Sequence, residues 1–188
     1  MSEEIRVESG VEVNVSPELL QVAKEVKDKE VPVEKKEPVD FTLRIVKPHT
    51  VISAPVTEED VPRLIEDAKV MYNLCYTVVG RYPGAYAVAH AQIDDKKPLR
   101  FFVTSMQEII INPVITRHTK TPVDSKEGCI TFSDKDQKIM PRYHKIEVDM
   151  QTLTADGKLS EVQHVCLSGR DAFMFQHEID HMNALYIY

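Results

Sequence analysis

His177-Glu178-Ile179-Asp180-His181 sets two imidazoles four residues apart with a carboxylate beside the first. On an α-helix that spacing turns both rings to one face, where they can share a metal ion while Glu178 faces a water activated by it. The same five residues also arise on ordinary polar helix faces, so the rest of the chain must support them. A catalytic metal of this kind takes a third protein ligand and keeps one position open. Seven residues follow His181, and the longer HExxHxxGxxH pattern fails because Ala184 and Ile187 occupy the places of its Gly and third His. The third ligand is therefore expected upstream. Cys75 lies in an apolar helical stripe and Cys166 at an apolar strand end, and both read as core thiols. Cys129 differs: it sits in Glu127-Gly128-Cys129-Ile130-Thr131, where glycine permits a close backbone approach between polar flanks. One thiolate and two imidazoles suit a single divalent ion, zinc, ferrous iron, cobalt or nickel.

Elements must hold these residues. Ser168-Gly169-Arg170-Asp171 reads as a capping box that opens the HExxH helix, which is expected to run through about Leu185. Phe173 and Met174, just upstream of His177, hold that helix against apolar packing. Thr57-Glu58-Glu59-Asp60 is a second capping box, and Val61, Leu64, Ile65, Ala68, Met71, Leu74 and Cys75 follow at helical spacing. They predict a helix over roughly residues 58–78, ended by Arg81-Tyr82-Pro83-Gly84. DFTLRIV alternates as a strand, and RFFV, EIIINPVI, KIEVDM and LSEVQHVC are β-branched or alternating runs, the last two flanking the turn Asp156-Gly157. The order predicts an α+β fold of mostly antiparallel strands around a C-terminal helix that carries HExxH.

The whole chain sets the limits. Its 188 residues suit one domain, or one domain with a tail, and 43% hydrophobic residues can form a core. No apolar run is long enough to span a membrane. A net charge of −7 speaks against a phosphate-backbone partner, so small-molecule or peptide chemistry is favoured over nucleic acid. The N-terminal segment shows no secretory signal, and three cysteines fit a reducing compartment. Residues 1–40 have no aromatic side chain and carry −5 of the charge, the composition of an acidic, flexible extension. Within them Ser16-Pro17-Glu18 opens a short amphipathic stretch to Val26, and Pro32 to Pro38 reads as a linker. Residues 41–188 form the metal-site domain.

Three segments together resemble the peptide deformylases, metal hydrolases that remove the formyl group from the N-terminal methionine of new chains. They are Ala85-Tyr86-Ala87-Val88-Ala89-His90-Ala91-Gln92, Glu127-Gly128-Cys129-Ile130-Thr131 and Gln176-His177-Glu178-Ile179-Asp180-His181, with Ile111-Asn112-Pro113 and Met140-Pro141-Arg142 between them. The similarity covers roughly residues 50–188. It implies that Cys129, His177 and His181 bind the metal, ferrous iron in the cell, and that Glu178 is the general acid and base. It implies Gln92 and the Ile130 N–H as oxyanion donors, Asp180 and Arg142 as a supporting pair, and Ala85, Tyr86, Ala87, Val88, Phe173 and Met174 as the wall around the substrate. The implied partners are formyl-methionyl nascent peptides and the ribosome surface. The implied place is the cytoplasm of a bacterium or phage-infected cell, or an organelle.

The first segment departs from the family's GxGxAxxQ, since Ala85 and Ala87 stand where it has glycines. Their methyls are harmless at negative φ and obstructive at positive φ. His90 is either a buried, satisfied histidine or a residue that reshapes the pocket. Ala184 replaces another glycine, and the chain stops at Tyr188 as in compact members. Three readings follow: an active deformylase, a related metal amidase with another acyl or peptide preference, or a silent metal-binding homologue that serves as a binding protein. Cys129, Glu178 and Gln92 together speak against the last.

Overall fold

The computed structural model describes residues 44–79 and 84–188, all within the unit Asp40–Tyr188. The expected extension of residues 1–40, with its Ser16–Val26 stretch, lies outside the described residues, as do Arg81, Tyr82 and Pro83.

Helix α1 (Val61–Tyr76) forms on the predicted apolar stripe and buries Leu64, Ala68, Met71 and Leu74. A 3-10 turn, Glu58–Asp60, precedes it, and there the Asp60 carboxylate accepts from the Thr57 N–H at 2.9 Å and from its hydroxyl at 2.8 Å. Gly84 follows at φ +118; a Cβ there would lie 2.2 Å from the Cys75 carbonyl oxygen, so no other residue fits without moving the chain.

Seven strands follow among the described residues: β1 (Ala87–Ala89), β2 (Phe101–Thr104), β3 (Ile109–His118), β4 (Pro122–Glu127), β5 (Lys138–Tyr143), β6 (Lys145–Gln151) and β7 (Gln163–Ser168). Five make an antiparallel sheet in the order β1-β2-β3-β6-β7, and β4 pairs with β5 as a separate antiparallel ribbon. The Asp156-Gly157 turn closes a small inner bridge, Leu153 to Leu159, rather than the whole β6–β7 hairpin. The end of DFTLRIV from Arg44 onward is not a strand; the Val46 N–H instead donates to the Gln92 carbonyl at 2.8 Å. A second helix, α2 (Gly169–Met182), completes the fold.

Strand alternation divides the core. Phe101, Val103 and Val88 pack with α1, whereas Phe102, Ala87 and Ala89 pack with Phe175, Ile179 and Met182 of α2. The sheet therefore lies between the helices. Phe102 meets Phe175 edge-on at 4.9 Å, and each fully buried phenylalanine contributes roughly 1.5–3 kcal/mol. At φ 51 the Asn112 side chain ties Val56 to the sheet, accepting from its N–H at 2.8 Å and donating to its carbonyl at 3.0 Å.

Candidate metal centre and its cleft

Helix α2 brings His177, Glu178 and His181 to the sheet as one buried face. The Ser168 side chain makes no capping bond, contrary to the expected box; Gly169, at φ +59, donates its N–H to the His144 carbonyl at 2.8 Å. The helix ends at Met182 rather than Leu185. The Ala184 N–H returns to the His181 carbonyl at 3.0 Å and the Leu185 N–H to the Asp180 carbonyl at 2.8 Å, a closure that sets Ala184 at φ +56.

The loop after β4 delivers the sulfur. Cys129 Sγ lies 3.2 Å from His181 Nε2, which is 3.2 Å from His177 Nε2, and the three ligand atoms all fall within 4.8 Å of one another. Their chemistry fits a cation. His177 Nδ1 donates to Glu127 Oε2 at 2.9 Å, which leaves Nε2 as the nitrogen that faces the sulfur and the other ring; burial opposes its charge, yet hydrogen bonds to Cys129 and Glu127 outweigh burial and raise its pKa to about 10, so a bound cation would take the place of the Nε2 proton. Burial, with the neighbouring charged His177, holds His181 well below its ordinary pKa, so its own lone pair is available. His181 Nδ1 is buried without a protein partner.

The acids around this cluster have separate environments. Glu127 is buried, which alone would raise its pKa, but hydrogen bonds from Arg142 and His177 outweigh burial and hold it at about 2. Arg142 grips both Glu127 oxygens at 2.8 Å and also bonds Asp180. The relay Asp180–Arg142–Glu127–His177 thus orients a ring of the cluster. Arg142 and Asp180 were expected as a pair; Glu127 was not expected to join them to His177. Only the alternation of β4, which turns Ser125 and Glu127 inward, hints at it. Glu178 is 4% exposed, its Oε2 has no partner, and desolvation raises its pKa to about 7.

Gln92 ends a 3-10 turn, His90–Gln92, directly after β1. It is buried; its oxygen accepts from the Ala89 N–H at 2.9 Å, while its nitrogen donates to Thr131 Oγ1 at 3.0 Å and reaches Cys129 Sγ at 3.5 Å. Ile130 opens the turn Ile130–Phe132 behind Cys129. Both residues line a cleft of about 610 Å³, together with Ala85, Tyr86, Ala87, Phe173, Met174, Cys129, His177 and Glu178.

Three expectations change here. Val88 is wholly buried on the α1 side of β1, because alternation turns it away from the cleft. Cys166, read as a core thiol, is exposed on edge strand β7. Cys75 is buried as expected, yet it also lines the cleft, and burial, then Glu178, pushes its thiol up to about 12. Two open alternatives resolve. The non-glycine residues with positive φ among those described are Gln107, Asn112 and Ala184, so Ala85 and Ala87 carry their methyls without strain. His90 is buried and satisfied: Nδ1 accepts from the Leu99 N–H at 2.9 Å, Nε2 donates to Asp67 at 3.0 Å, and the ring stacks on Phe101. Arg170 and Lys126 also line the cleft and were not singled out by the sequence.

Known proteins are similar to this chain in sequence and fold. A peptide deformylase 2 of Bacillus anthracis is 31% identical over 160 residues, 79% of this chain and 83% of that protein. The peptide deformylase of Thermus thermophilus is 33% identical over 92 residues, so the matched part spans 44% of that relative's length. Among solved structures, the enzyme of Vibrio parahaemolyticus bacteriophage VP16T, crystallised with actinonin, superposes with a TM-score of 0.59 at 28% identity over 77% of this chain and 99% of that one. The Thermotoga maritima peptide deformylase gives 0.58 at 29% identity, covering 79% and 89%. A family sequence model described as Polypeptide deformylase matches residues 49–188, a stretch that holds the cysteine loop, the HExxH helix and the strands between them. The chain belongs to the polypeptide deformylase family.

Proposed function

We propose that this chain is a metal-dependent hydrolase that removes the N-formyl group from the N-terminal methionine of newly made polypeptides and releases formate. One observation carries the reading: Cys129 Sγ and the Nε2 atoms of His177 and His181 converge within 4.8 Å, beside a desolvated Glu178 and at the foot of an open cleft. Cys129, His177 and His181 would hold one divalent ion, ferrous iron in the cell, with zinc, nickel or cobalt as substitutes. Bound there, the ion supplies Lewis acidity that activates water and polarises the formyl carbonyl.

The chain's own groups do the rest. Glu178, with a pKa raised to about 7 and an unpartnered Oε2, takes the proton of the attacking water and delivers it to the departing amine. The Gln92 amide and the Ile130 N–H stand ready for the developing oxyanion; Gln92 must first release its contact with the Cys129 sulfur. Glu127, locked by Arg142, keeps the His177 ring turned inward. Phe173 and Met174 offer apolar contact to the methionine side chain. The partners are formyl-methionyl nascent peptides, met at the ribosome surface in the cytoplasm of a bacterium or phage-infected cell, or in an organelle. The unstrained Ala85 and Ala87 favour this substrate over the altered acyl group of a related amidase.

The test is release of formate from formyl-Met-Ala-Ser by nickel-loaded protein, or by iron-loaded protein without oxygen. Turnover is expected, and a metal-loaded protein that leaves the peptide intact would overturn the reading.

A further inference from the structure

The lip of the cleft carries charge that hydrolysis does not use. Of the acidic and basic side chains lining it, Glu127 and His177 are bonded to each other, Glu127 is also bonded to Arg142, and Glu178 is buried at the foot. Lys126 and Arg170 remain, both exposed, and neither forms an ion pair with a carboxylate among the described residues. In a chain of net charge −7, the open end of the cleft is locally positive. Arg170 is also held in place. Its guanidinium lies over the Tyr86 ring, 3.4 Å from Cζ to the ring centroid, and Tyr86 is itself exposed at the rim. Contact with the ring restrains the fork, whose N–H edges can receive a carboxylate in two parallel hydrogen bonds.

The formyl group must reach Glu178 and the Cys129–His177–His181 cluster, and the methionine side chain has the apolar wall of Phe173 and Met174. The residues that follow the methionine then extend along the exposed lining of the cleft, which includes Tyr86, Arg170 and Lys126. We propose that the site prefers formyl-methionyl peptides with an acidic side chain just after the methionine, which Arg170, stacked on Tyr86, receives with help from Lys126. This preference rests on the deformylase reading. A lysine in the same place meets two like charges and is disfavoured.

The test compares kcat/KM for formyl-Met-Ala-Ser, formyl-Met-Glu-Ser, formyl-Met-Gln-Ser and formyl-Met-Lys-Ser on the nickel-loaded full chain. Glutamate should exceed glutamine by about fivefold, with lysine below glutamine, and the difference should lie in KM. Raising salt from about 0.05 M to about 0.5 M should shrink the ratio in the unaltered protein. Arg170→Leu should bring the glutamate-to-glutamine ratio near one, and Arg170→Lys should restore part of it. Because each ratio is taken within one variant, a general loss of activity cancels. Glutamate, glutamine and lysine peptides turned over within about twofold of one another would overturn the preference while leaving the hydrolysis intact. A preference that survives Arg170→Leu would overturn the role given to that residue. No turnover of any peptide, the alanine one included, would remove the hydrolytic reading and the preference with it.

Discussion

Glu178 is the side chain on which the proposed chemistry turns, because its Oε2 is a buried carboxylate oxygen at the centre left without a partner among the described residues. Glu178→Gln keeps its volume and removes the carboxyl that accepts and returns the proton. Formate release should fall about 10²- to 10⁴-fold while metal content, read by atomic absorption, is retained. Loss of the metal instead would place Glu178 among the ligands. Glu127→Gln acts at a distance: with the charge facing His177 Nδ1 gone, metal affinity should fall about 10- to 100-fold in a chelator competition. At this scale the sequence was legible where spacing encodes geometry, as for His177, Glu178 and His181, and where a motif singles out Cys129. It was silent on Glu127, whose tie to His177 joins residues fifty positions apart. Val88 misled because a motif is a string, whereas a strand sends alternate residues to opposite faces.

Helix α2 ends on a residue poorly suited to its conformation. Ala184 at φ +56 bears the Cβ penalty of the left-handed region, which glycine escapes. Ala184→Gly should therefore stabilise the fold by about 1 kcal/mol, seen as a rise in the midpoint of thermal unfolding of about 2–4 °C. An unchanged or lower midpoint would mean that the helix end relaxes at no cost. The elements differed in legibility for physical reasons. α1, β2, β3 and β6 bury apolar faces of the right period, so their residues announce them. β4 and β5 carry Pro122 and Pro141, which a two-stranded ribbon tolerates because every strand in it is an edge. Ser168 has the right type and place for a cap, yet its oxygen makes no such bond.

At the scale of the molecule, the fold holds a neutral imidazole in its interior. Burial lowers the pKa of His90 below the ordinary 6.5 against the opposing pull of Asp67, with Arg63 and Asp94 as the other charges that face it. The unfolded chain therefore binds more protons than the folded one just below that value. The contribution of His90 is fully present above about pH 6.5 and is lost as pH falls. The urea midpoint should drop between about pH 7 and pH 5.5, and His90→Asn should flatten part of that fall. A bound metal would add a second global term, since the proposed ligands join the loop after β4 to α2. At a thousandfold excess over Kd a bound ion stabilises by about 4 kcal/mol, so dialysis against a chelator should lower the unfolding temperature by several degrees. The two-helix sandwich around the sheet was foreseen as a class, α+β, but not as a layer order, because strand order is set by contacts between distant segments.

The guanidinium of Arg142 lies between two carboxylates, one of them fixing a ring of the metal cluster. Losing Arg142 alone would strand the buried Glu127 anion at about 3–5 kcal/mol, and losing Glu127 alone would leave a buried cation short of an anion. Neither single step is open to drift, whereas a joint exchange for apolar residues is tolerable for the fold and harmful only to the metal. Among descendants of this gene the two positions should be inherited together or abandoned together, and a lineage that has abandoned both should also have shed the need for its ion.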